Sequence, residues 1–191
     1  MDATPPAITA EQAIPDGLNG RWWVAHTRPR NEKRLAAELR SLGIFHYLPL
    51  YPRQTRGRVR RRVYRSIIPV FPGYLFFNGT EEQRLRALST NRIVSVLSVP
   101  RQDELVRELR SVQHALAAGV GFRWHPEVRI GDLARVVAGP LMGVEGVVLR
   151  RLAKTRLVLN VMMLGQSVSV EVSDDSLEKL PDAGGQLLDV R

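Results

Sequence analysis

The sequence predicts an α+β chain in two parts. An antiparallel sheet with helices on one face, in the manner of a split βαβ sandwich, is followed by a small five-stranded β-barrel. Three observations predict this. Between residues 21 and 119, strand-like stretches interleave with helix-period segments in the order β-α-β-β-α-β-α. Across 128–181 the helical period gives way to five short alternating runs broken by glycine. Between these regions, "VGFRWHPEVR" (120–129) has no period and contains Gly and Pro, so 120–127 reads as a linker.

The first element is "RWWVAHT" (21–27), a short strand. "RPRNEKRLAAELRSLG" then turns helical: Leu35, Leu39 and Leu42 share a face, Asn31 suits an N-cap and Gly43 a stop. "IFHYLPLYPRQT" (44–55) is aromatic and strand-like, with Pro49 and Pro52 marking an edge or a bulge. "TRGRVRRR" reads as a hairpin tip, and "VYRSIIPVFPGYLFFNG" as the returning strand. "TEEQRLRALS" opens with Thr80 and Gln83 at capping-box spacing. "NRIVSVLSVP" is a fourth strand. "DELVRELRSVQHALAAG" is an amphipathic helix with Leu105, Leu109, Val112 and Leu116 on one stripe. The barrel strands are "DLARVVAG", "VEGVVLR", "TRLVLNVMM", "QSVSVEV" and "SLEKL". Residues 1–20 read as a disordered leader without signal-peptide features, and 182–191 as a tail.

Charge narrows the function. The net charge is +9, but residues 21–75 alone carry thirteen Lys/Arg against two acids, while 121–191 carry nine of each. A positive field concentrated on one segment points to a polyanion, most often nucleic acid. The absence of cysteine removes disulfides, thiolate metal sites and one class of nucleophile. No apolar run reaches membrane-spanning length, so no membrane role is expected and a cytoplasmic address follows by default. The histidines, His26, His46, His114 and His125, lack partners at metal-ligand spacing. No catalytic triad, phosphate loop or carboxylate pair stands out. The expectation is a monomeric binding protein with no catalysis, cofactor or metal.

Two stretches carry the binding chemistry. In "VFPGYLFF", alternation places Pro72, Tyr74 and Phe76 on one face and Phe71, Gly73, Leu75 and Phe77 on the other. One set packs under the helices. The other lies on the open face with Trp22, Val24 and His26, unless all these aromatics are core. Arg53, Arg56, Arg58, Arg60, Arg61, Arg62 and Arg65 place seven cations in thirteen residues. Unpaired charges are not buried, so they extend into solvent, either to grip phosphates or simply as a solvated loop. Arg28, Arg30, Arg34 and Arg92 extend the same strip.

Three motifs in order, "WWVAHTRPRNEKRLAAELRSLG", "VFPGYLFF" and "GDLARVVAGPLMGVEGVV", resemble the NusG family of transcription elongation factors across residues 21–181. The last is similar to a KOW motif, which implies an SH3-like barrel. The resemblance implies an N-terminal domain (21–119) that docks on the clamp helices of RNA polymerase through His26, Phe71, Pro72, Tyr74 and Phe76; a bulge at Pro72-Gly73 is needed to bring Phe71 to the same face. It implies DNA contacts near the transcription bubble, suppressed pausing and antitermination. It also implies a second partner for the KOW domain (128–181), such as Rho or a small-subunit ribosomal protein. In the family that loop bears phenylalanines. Here it carries Leu141, Met142 and Val144, which either contact the partner or fill the barrel. "VVLRRLAKTRLVLNVMMLG" (147–165) has both strand and helix formers, so an RfaH-like branch, in which this region is a helical hairpin, is a further expectation. Two rival readings are a single-stranded RNA-binding protein that stacks bases on an open aromatic sheet and a ribosome-associated protein.

Overall fold

The computed structural model describes residues 13–56, 63–119, 123–126, 133–151, 154–161, 164 and 166–180. The chain divides into two compact units, Met1–Gly119 and Val120–Arg191.

In the first unit, β1 (Arg21–Thr27), β2 (Phe45–Tyr47), β5 (Tyr74–Gly79) and β6 (Ile93–Ser98) form an antiparallel sheet in the order β2-β5-β1-β6. A separate two-stranded ribbon pairs β3 (Leu50–Arg56) with β4 (Val63–Pro69). The two long strands read from the sequence are thus each divided. Pro49, which has no amide hydrogen, separates β2 from β3. Pro72-Gly73 separates β4 from β5 with a turn closed by the Tyr74 N–H donating to the Phe71 carbonyl at 3.2 Å. Gly73 sits at φ +85°, the left-handed position of a type II turn, and Pro72 holds the position before it.

The helices are α1 (Glu32–Ser41), α2 (Glu81–Leu88) and α3 (Gln102–Ala117). Leu35 and Leu39 of α1 pack with Ala25, Leu75, Phe77, Ala87 and Ile93 beneath one sheet face. Each buried leucine stabilises by about 1.5–3 kcal/mol. α1 ends where Gly43, at φ +66°, lets the chain reverse. α2 opens with the expected capping box, Thr80 with Gln83.

The second sheet face is not free, which corrects the expectation of an open surface. Trp22, Val24, Tyr47 and Phe76 project there and are all buried. The stripe of α3, Leu105, Leu109, Val112 and Ala115, is buried too. The leader is also partly structured. Residues 1–12 lie outside the described residues, but Ile14 is buried and its N–H donates to Gln113 at 2.9 Å. Asp16 pairs with Arg110, and the Gly20 carbonyl accepts from Asn78 at 2.8 Å.

In the second unit, β7 (Arg123–Pro126), β8 (Leu133–Val136), β9 (Glu145–Arg151), β10 (Lys154–Val161), β11 (Gln166–Val172) and β12 (Leu177–Lys179) form one antiparallel sheet, ordered β12-β8-β9-β10-β11-β7. The five expected strands are present. The sixth, β7, lies in the segment read as a linker and pairs with β11, His125 opposite Ser167. Within 147–165 the described residues are strand, apart from Leu164 in a helical turn; Leu157, Val158 and Leu159 are all buried. β-branched residues favour such pleated, buried positions.

Candidate functional site

The site forms at one end of the first sheet, where three loops converge. His26 ends β1 opposite Tyr74 at the start of β5. Their rings stack with centroids 5.1 Å apart and planes 22° apart. Both side chains are half-buried, and Pro72 beside them is exposed. Thr27 donates its N–H to the Gly73 carbonyl at 2.8 Å, which anchors the turn to β1. The Gly73 N–H in turn donates to the Glu32 carboxylate at 2.8 Å. Glu32 is only 8% exposed, an acid held at the first turn of α1 where the helix macrodipole favours negative charge. The pairing of β1 with β6 shifts register between His26 and Thr27. The extra residue of this bulge, Val94, is exposed beside His26.

Two of the expected docking residues are placed elsewhere. Phe71 is 1% exposed and Phe76 is fully buried. Phe71 lies in the turn before β5, so strand alternation does not govern it; it meets Phe76 edge-on at 6.0 Å. Phe76 also contacts Tyr47 at 6.5 Å. These rings form a buried platform beneath the turn and present no surface to a partner. His26, Pro72 and Tyr74 remain as the accessible set. The same burial removes the open aromatic sheet that the RNA-stacking reading requires.

The basic residues divide similarly. Arg28, Arg30 and Arg34 are exposed at the start of α1, next to the aromatic turn, and Arg53 is exposed on β3. Lys33 ties α1 to the base of the ribbon by donating to the Ile67 carbonyl at 2.6 Å. Arg56 and Arg65 lie on paired strands of that ribbon. The tip, with Arg58, Arg60, Arg61 and Arg62, lies outside the described residues. Arg92 is turned inward. Its Nε meets the Glu38 carboxylate at 2.5 Å and its Nη1 donates to the Asn31 amide oxygen at 2.9 Å. Unlike the exposed arginines of the strip, Arg92 already has an acid paired with its guanidinium. Asn31 accordingly makes no side-chain cap bond.

In the second unit, Leu141 and Val144 are buried, so they fill the sheet core and offer almost no exposed side chain. Met142 is 60% exposed in the same loop. The loop folds inward because the Gly143 N–H donates to the Val136 carbonyl at 2.7 Å, with Gly139 and Gly143 both at positive φ. Exposed Val137 lies on the other arm of the loop.

Sequence reasoning missed Glu32, Glu38 and Val94. Acids at the start of a helix are common, and nothing local in "RNEKRLAAELR" says that Glu32 reaches a turn 41 residues away. Among the described residues there is no cluster of His, Asp or Glu fit to hold a metal, and no helix long and apolar enough to cross a membrane.

Comparison with known proteins gives a family for the first unit. Residues 20–117 match the family model described as transcription termination factor NusG, about half of the 191-residue chain. Among solved structures, a chain of the MjSpt4:Spt5 complex (conformation B) is similar at 13% identity, covering 83% of this chain and 96% of that one, with a TM-score of 0.27. No curated protein sequence matches. The match covers the sheet-and-helix unit, and the all-β unit lies outside it; the family is one of non-enzymatic transcription factors. The protein belongs to the NusG family, whose members bind RNA polymerase.

Proposed function

We propose that this protein is a transcription elongation factor that docks on the clamp helices of RNA polymerase through His26, Pro72 and Tyr74. The observation that carries this reading is the stacked His26–Tyr74 pair, held at the sheet end by a hydrogen-bonded turn and flanked by Arg28, Arg30 and Arg34. A rigid aromatic pair on a preorganised turn suits a helical tip, because aromatics supply most of the energy in small interfaces. The arginine strip and the ribbon then lie beside the DNA near the transcription bubble. Affinity for the closed polymerase suppresses pausing and promotes antitermination by shifting its population away from the paused state. The second unit recruits a further partner through the exposed Met142 loop.

The test is capture of bacterial RNA polymerase by wild type and by Tyr74→Ala, with elongation timed on a pausing template. Tyr74 is the residue to change, because Phe76→Ala would hollow out the platform and cost about 3–5 kcal/mol of stability. The expected result is that folded Tyr74→Ala loses both capture and pause suppression. Equal capture by the two proteins would refute the docking assignment.

A further inference from the structure

We infer that Arg92 is a positioning residue: bridged to Glu38 and Asn31, it holds the Arg28–Asn31 loop in a phosphate-binding shape without itself contacting phosphate. This rests on the proposed nucleic-acid role of the strip. The loop is unusually constrained for an exposed basic segment. Arg30 adopts φ +61°, a left-handed conformation that is uncommon and costly for a residue other than glycine. In the loop before β6, Asn91 is left-handed as well, at φ +58°. These are the two non-glycine residues at positive φ among the described residues, and each lies within two residues of a backbone bond that joins their loops. The Arg28 N–H donates to the Arg92 carbonyl at 2.8 Å.

The side chains complete the clamp. Arg92 donates from Nη1 to Asn31 at 2.9 Å, and Asn31 uses its own amide to bond the Pro29 carbonyl at 3.0 Å. The Asn31 N–H donates to the Arg28 carbonyl at 3.1 Å. Glu38, about two turns further along α1, fixes the other side of the guanidinium at 2.5 Å. Arg28 and Arg30 are left exposed on a loop tied at both ends. A clamped loop loses less conformational entropy when its arginines engage phosphates, and so binds more tightly.

Charge alone predicts the opposite of this for one substitution, which makes the inference decisive to test. Glu38→Ala removes an acid from a basic surface and frees Arg92, so a purely electrostatic strip should bind nucleic acid more tightly. A positioning role predicts weaker binding. The experiment titrates the full-length protein into a labelled single-stranded DNA oligonucleotide, by fluorescence anisotropy over a series of salt concentrations. Alanine is a strong helix former, and urea denaturation verifies that each variant is folded. Glu38→Ala and Arg92→Lys are each expected to weaken binding about ten-fold, since lysine keeps the charge but not the fork that bridges two partners. The salt slope should stay at the wild-type value. Adding Arg30→Ala to Glu38→Ala should cost less than the sum of the two.

Tighter binding by Glu38→Ala would overturn the inference. So would wild-type affinity for Arg92→Lys together with a slope reduced by about 0.7 for Arg92→Ala, the mark of a lost phosphate contact. If Arg28→Ala and Arg30→Ala weaken binding while Glu38→Ala does not, the positioning role fails and the strip stands. If wild type does not bind the oligonucleotide at all, the inference and the nucleic-acid half of the proposed function fail together.

Discussion

Glu32→Ala should destabilise the first unit far more than an acid on a helix surface ordinarily does. The carboxylate is buried and accepts the Gly73 N–H at 2.8 Å. Alanine leaves that part-buried amide without its acceptor, which costs about 1–3 kcal/mol. It also removes a favourable charge from the helix N-terminus, about 0.3–1 kcal/mol. The expected loss is about 2–3 kcal/mol, read as a lower urea midpoint with tryptophan fluorescence, Trp22 and Trp23 being the reporters. In thermal unfolding of a domain this size each kcal/mol moves the midpoint by roughly 4–8 °C. Glu32→Gln separates the two contributions, because it keeps an acceptor and loses the charge; it should cost about 1 kcal/mol. If alanine and glutamine give the same small loss, below about 1 kcal/mol, the effect is macrodipole alone and the latch is not an energetic feature of the turn.

Further outcomes follow from the same geometry. Burial pushes the Tyr47 hydroxyl well above its ordinary value of 10.0, and it has no hydrogen-bond partner among the described residues. The unfolded chain therefore releases this proton at lower pH than the folded one, so stability should hold below pH 10 and fall as pH rises above it. Tyr47→Phe should leave stability unchanged or raised at neutral pH and remove this part of the alkaline loss in a pH series of urea midpoints. In the second unit, a Cβ at Gly146 would lie 2.4 Å from the Val158 carbonyl oxygen on β10. Gly146→Ala should force β9 away from β10 and cost about 3 kcal/mol, seen as a lowered thermal midpoint. Leu141→Ala should cost about 2–5 kcal/mol by emptying the sheet core. Met142→Ser in the same loop should stay within about 0.5 kcal/mol, and a larger loss would mean that Met142 is packed, not exposed.

Much of the fold was legible because its signals are local. Thr80 and Gln83 form their capping box within one turn of chain, and Gly43 ends α1 by its own backbone freedom. The strands of the second unit follow from alternating valines and leucines. The site was legible only in part. Pro72-Gly73 marked an irregularity, expected as a bulge within one strand where the structure has a turn between two, and His26, Pro72 and Tyr74 were named among the contacts together with the buried Phe71 and Phe76. Alternation failed for Phe71 because the turn, not the strand, holds it. It failed for Phe76 in a different way: its face was identified correctly as opposite Leu75, but that face is covered.

What the sequence by itself determined is the inventory: three helices, the strand-forming segments, the concentration of arginine between residues 21 and 75, and the order of motifs. These depend on periodicity, caps and breakers, whose physics acts within a few residues. Tertiary structure alone decided which aromatic rings are support and which are surface, and which arginines are available. Burial depends on what covers a face, and nothing within β5 states that its far side is closed. The fate of Arg92 depends on Glu38, 54 residues earlier in the chain. An ion pair across that separation exists only once α1 has docked and brought the loop before β6 against it.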